Sequence, residues 1–85
     1  MRHATPDDLD RLESLLERLR ALDGLKERKR GNFTRRSQAF LHFHEHDGGL
    51  FADVRLSESF DRFAVTTPAQ ERALLAAIRR TLRAS

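Results

Sequence analysis

The chain has 85 residues, of which 39% are hydrophobic and 34% charged, with no Cys, Trp or Tyr and a formal net charge of +3. The absence of cysteine excludes disulfides, thiolate-bound zinc, iron–sulfur clusters and thiol catalysis together. One hydrophobic core fits in this length and a second would starve it, so residues 1–85 read as a single domain with a folded surface of about 5,000 Å².

Charge is unevenly spread along the chain. Residues 23–37 hold six Lys and Arg against two acids, whereas residues 38–67 hold two against five. No apolar run approaches the roughly 20 residues of a membrane span. The polar, acidic start Met-Arg-His-Ala-Thr-Pro-Asp-Asp does not read as a signal peptide. The expectation is a cytoplasmic protein with no membrane partner.

The first predicted element is a helix over residues 6–22. Leu9, Leu12, Leu15, Leu16, Leu19 and Leu22 lie on one stripe of a 3.6-residue period. Thr5 supplies an N-cap oxygen, Pro6 suits the first helical position, Asp7 and Asp8 complement the positive helix end, and Gly24 suits the closing left-handed residue. The segment that follows, with Lys26, Arg28, Lys29 and Arg30, reads as a connecting loop. A short strand over residues 33–37 is weakly signalled.

The period then changes to two. Residues 39–46 and 50–56 alternate, and Asp47-Gly48-Gly49 between them is a strong hairpin turn. A further strand near residues 60–66 follows the polar break Ser57-Glu58-Ser59. The last element, from Pro68, repeats the opening grammar: Thr67 caps, Gln70 completes a capping box, and Leu74, Leu75, Ile78 and Leu82 form the buried stripe, with Ala73 and Ala77 allowing close approach. The predicted fold is α+β, a two-layer sandwich: N-terminal helix, three- or four-stranded antiparallel meander, C-terminal helix.

Opposed residues in a hairpin share a face, so a two-residue turn sorts this one. Leu41, Phe43, Ala52, Val54 and Leu56 make the core face. Phe40, His42, His44, His46, Phe51, Asp53 and Arg55 make the open face, which is the predicted binding surface. Its bland reading is a wet sheet face of the kind antiparallel sheets commonly leave. Phe40 and Phe51 together could instead form an apolar patch for a partner or for a homodimer stacked sheet against sheet.

A more specific chemistry is available on the same face. Neighbouring residues on one side of a strand are about 6.8 Å apart and the next but one about 13 Å. A metal ion with bonds of about 2.1 Å is therefore shared readily by two of the three strand histidines and scarcely by all three. His42, His44 and the cross-strand Asp53 form the candidate set, two imidazoles and a carboxylate suited to zinc or a similar divalent ion. No cofactor other than such an ion is indicated. A His–Asp pair could tune proton transfer, but no nucleophile elbow or Gly-rich phosphate loop accompanies it, so the reading is a non-enzymatic binding or interaction module.

The basic stretch 26–36 offers a third surface. Lys29, Arg30, Arg35 and Arg36 are candidate contacts for an anionic ligand or nucleic acid, with Phe33 available to stack on a base. Its bland reading is a solvated loop that offsets the acidic hairpin.

Overall fold

The computed structural model describes residues 1–84. It is an α+β fold with three helices and a six-stranded antiparallel sheet. In chain order these are β1 (Arg2–His3), α1 (Pro6–Arg11), α2 (Glu13–Arg20), β2 (Lys26–Lys29), β3 (Asn32–Arg35), β4 (Gln38–His46), β5 (Gly49–Arg55), β6 (Phe60–Ala64) and α3 (Pro68–Arg83). The accessible surface, 5198 Å², matches the value expected for one small core. No helix among the described residues is long and apolar enough to cross a membrane.

The sheet runs in the order β2-β3-β4-β5-β6. Because β5 takes one edge of β4 along residues 41–46, the other edge is shared end to end: β3 pairs with residues 38–41 and β1 with Glu45 and His44. Two strands absent from the sequence expectation, β1 and β2, thus bring the count to six. Both are short and polar, and neither alternates apolar with polar side chains, which is the signal that sequence reading depends on.

The long N-terminal helix is in fact two. Leu12 leaves helical geometry at φ −100° and ψ 5°, and its N–H bonds back to the Leu9 carbonyl at 3.0 Å. Two successive steps of three residues would carry Leu15 about 120° round an ideal helix from Leu9. A bond to the third preceding residue tightens the turn and shortens that drift. Leu9, Leu12, Leu15, Leu16 and Leu19 all end up buried.

Both helix starts follow the predicted capping logic. The Thr5 hydroxyl accepts the Asp8 N–H while the Asp8 carboxylate accepts the Thr5 N–H, and Thr67 with Gln70 repeats this reciprocal pair. Along α3, Leu74, Leu75, Ala77 and Ile78 are buried and Leu82 packs partly against them, but Ala73 is exposed and provides no close approach.

One cluster of buried side chains joins these helices to the sheet. It holds the leucines of α1 and α2, the stripe of α3, and Phe33, Leu41, Phe43, Leu50, Ala52, Val54 and Val65. Since side chains alternate along a strand, the residues between Leu41, Phe43, Ala52 and Val54 are directed to the opposite side of the sheet. Gly31, at φ +83°, lets the β2–β3 turn close over α1: a Cβ there would meet a Leu9 methyl at 2.7 Å.

Candidate metal centre on the open sheet face

The hairpin between β4 and β5 closes on the two residues Asp47 and Gly48, both with positive φ as a type I′ turn requires. That turn length sets the register. His42 pairs with Asp53, Phe43 with Ala52, and His44 with Phe51. Two neighbouring strands then add to this face what the sequence did not reveal. His3 of β1 lies opposite His44, and Arg62 of β6 lies opposite Asp53.

Asp53 is the centre of the arrangement. It is only 8% exposed. Its Oδ1 accepts from Arg62 Nε at 2.8 Å, and Arg62 also reaches Oδ2 at 3.0 Å, a two-pronged grip that fixes the carboxylate plane. On the other side, Oδ2 lies 3.0 Å from His44 Nε2 and 3.5 Å from His42 Nε2. The three candidate ligand atoms all lie within 4.8 Å of one another. Ligand atoms at neighbouring positions of a tetrahedral metal with bonds of about 2.1 Å stand about 3.4 Å apart, so side-chain movements of about 1 Å complete the set.

The rings around this carboxylate are packed, not scattered. The centroids of His42 and His44 are 4.9 Å apart, and His3 lies 5.0 Å from His44 and 6.5 Å from His42. His42 also meets the edge of Phe60 at 5.2 Å. Arg2 holds β1 in place by pairing with Glu45 at 2.9 Å and Asp8 at 3.3 Å. A recess of about 270 Å³, lined in part by His3, Asn32, Thr34 and His42, opens beside the imidazoles.

Electrostatics follows from this packing. The Arg62 guanidinium holds the Asp53 carboxyl below the usual carboxylate range, against the opposing effect of burial. Burial, reinforced by the neighbouring His44, pushes the His42 imidazole down from its ordinary value, and Asp53 only partly offsets this. The neutral imidazole and ionised carboxylate favoured by these shifts are the forms that bind metal.

The other predicted face residues divide. Phe51 and Arg55 are half-buried, and His46 is exposed at the hairpin end, 3.4 Å from Asp47. Phe40 is not on the open face: it is 2% exposed and belongs to the core cluster. The reason is a bulge. Phe33 pairs with Leu41 but Thr34 pairs with Ala39, so Phe40 is an extra residue that interrupts the alternation. Its burial removes one of the two rings on which sheet-to-sheet stacking of two copies was based.

The basic stretch is also rearranged. It is not a loop but β2, a turn and β3. Arg30 is committed to Asp10 and Glu13, both at 2.8 Å, and Glu27 binds Arg20 and the Gly31 N–H. Phe33 is buried and cannot stack on a base. Lys29 stays exposed near Arg30, while Arg35 and Arg36 sit at the opposite end of β3.

His3, Phe60 and Arg62 are the site residues that sequence reasoning missed. An Arg-His pair before a helix cap is too short to signal a strand. Arg62 was within reach only if the length of the 57–59 connection had fixed the register of β6.

Comparison with protein-family models, with curated proteins and with solved structures finds no match.

Proposed function

We propose that this protein is a small non-enzymatic binding module whose open sheet face takes one divalent transition-metal ion, with His42, His44 and Asp53 as ligands and His3 beside them. In this reading the domain is a two-layer sandwich: the helices cover one face of the sheet, and the other is free to bind. The observation that carries the proposal is the position of Asp53 Oδ2, which lies within 3.5 Å of two imidazole nitrogens while Arg62 bridges both carboxylate oxygens. A ligating carboxylate that is itself held by a hydrogen-bonding partner is the usual support for a metal site.

Two nitrogens and one oxygen suit zinc, with a coordination position left for water or an exogenous group. The recess beside His3 and His42 provides room for such a group. Half-exposed Arg62 adds a like charge near the ion, an opposing effect that solvent screens.

Calorimetric titration of the full chain with zinc, nickel and manganese tests the proposal. One equivalent of zinc should bind, at least roughly tenfold more weakly in Asp53→Asn and in His44→Gln, with circular dichroism confirming that each variant is folded. A wild-type protein that takes up none of the three ions saturably contradicts the proposal.

A further inference from the structure

The outer face of α3 carries charge of one sign. Arg72, Arg79, Arg80 and Arg83 are exposed on it, and so are Ala69, Ala73 and Ala76. At about 100° per residue these positions fall within about 120° of the helix circumference, opposite the buried Leu74, Leu75 and Ile78. Glu71, the one acid of α3, is half-buried off this face and has Arg18 of α2 as its charged neighbour. Among the described residues none of the four arginines has a carboxylate within ion-pair distance. Asp23 lines a recess with Arg79 and Arg83 and still pairs with neither.

Solvation alone does not account for this arrangement. Exposed helix faces ordinarily mix both signs, as α1 and α2 do, with exposed Asp7, Asp10 and Glu17 beside Arg11, Arg18 and Arg20. Arg79 and Arg80 stand four and three residues before Arg83, spacings at which like charges weaken a helix. The negative end of the helix offsets that repulsion for these three. It does not reach Arg72, in the second turn of α3, where the dipole gives a cation no support.

We propose that this face of α3 docks against the phosphate backbone of double-stranded DNA. The arginines from Arg72 to Arg83 span about 16 Å along the helix, a length over which the duplex presents one phosphate per about 1.7 Å of its axis. Guanidinium forks match phosphate oxygens in pairs. The alanines between them keep the helix slim, so that it fits a B-form major groove about 12 Å wide. The same residues argue against other polyanions. A-form RNA has a major groove too narrow for a helix, and single strands are held by stacking on aromatic rings, of which this face has none. A helix that lies in a membrane surface sets Trp, Phe or Leu into the lipid, whereas only Ala accompanies the arginines here. The face shares no residue with the proposed metal centre.

The test is fluorescence anisotropy of a labelled DNA duplex of about 20 base pairs, titrated with the full chain from about 50 mM salt upward. Saturable binding is expected, with the logarithm of the affinity falling against the logarithm of the salt concentration at a slope of about −3. Arg72→Ala should weaken binding roughly tenfold at the lowest salt and reduce the slope by about 1. Ala76→Glu, which sets an acid among the arginines and removes none of them, should also weaken it at least roughly tenfold. All these positions are exposed, and circular dichroism checks that each variant is folded. Arg28→Ala, on exposed β2 and outside the face, should leave the affinity unchanged. The assignment is overturned if the duplex does not bind at the lowest salt, or if Arg28→Ala weakens it as much as Arg72→Ala. It is also overturned if single-stranded DNA, an RNA duplex or phosphatidylserine vesicles bind more tightly than the DNA duplex.

Discussion

At Asp53 a carboxylate that is nearly inaccessible to water is gripped by a guanidinium from β6 and faced by two imidazoles from β4. These contacts make stability depend on pH in two windows. His42 titrates below its ordinary 6.5 in the folded chain. Between that lowered value and 6.5 the unfolded chain binds more protons, so stability falls as pH drops through this range. Asp53 and Asp8 titrate below their ordinary 3.8, and the stability they contribute is present above that value and lost as pH falls through the lowered one. Thermal melts should therefore show a first decline below about pH 6.5 and a second below about pH 4. His42→Gln should flatten the first and leave the second. A melting temperature that is constant from pH 7 to pH 5 contradicts the assignment.

The alternation that put His42, His44 and Asp53 on one face was legible because either two-residue turn within Asp47-Gly48-Gly49 sends them to the same side of the hairpin. Phe40 was not. A bulge depends on how β3 is paired, and nothing local in Gln-Ala-Phe-Leu reports it. His3 reaches the site through a pairing made far away in sequence, and Arg62, only nine residues from Asp53, through a connection whose length did not set the register of β6.

At the scale of elements, two helices carry the same reciprocal cap, and removing either hydroxyl should have a similar effect. Thr5→Ala and Thr67→Ala should each cost about 1 kcal/mol of unfolding free energy, read from chemical denaturation. A negligible change in both would mean that water replaces the cap without loss. The β3–β4 turn behaves differently. Arg36 and Ser37 have φ of +53° and +68°, where side-chain-bearing residues are disfavoured. Ser37→Gly should raise stability by roughly 1 kcal/mol by removing that cost, whereas Gly31→Ala should lower it because the new methyl meets Leu9. An Arg-Ser turn lacks the Asn-Gly or Asp-Gly signature, which is why this hairpin was faint in the sequence while the next was plain. Similarly, β2 has no apolar rhythm. Its place is supported by Glu27, which ties Arg20 of α2 to the Gly31 turn.

For the molecule as a whole, the sequence identified the α+β class and the placement of two capped helices around a meander. It could not show that the basic stretch would be divided. The sheet sends Arg30 to the acids of α1 and α2, leaving Arg35 and Arg36 at the far end of β3 beside Arg55. A continuous basic track thereby becomes one structural ion-pair network and a separate basic turn. The imidazole face is built from β1, β4 and β5, so an ion held by His42, His44 and Asp53 would cross-link β4 and β5 and should raise the stability of the folded chain. At a free zinc concentration one hundred times the dissociation constant the gain is about 2.7 kcal/mol.

The most direct measurement is a long-range proton–nitrogen NMR spectrum of the histidine side chains, recorded during a zinc titration. The Nε2 resonances of His42 and His44 should shift together and saturate at one equivalent, with exposed His46 unchanged. Equal responses from all the histidines, or none from His42 and His44, would contradict a metal centre at Asp53.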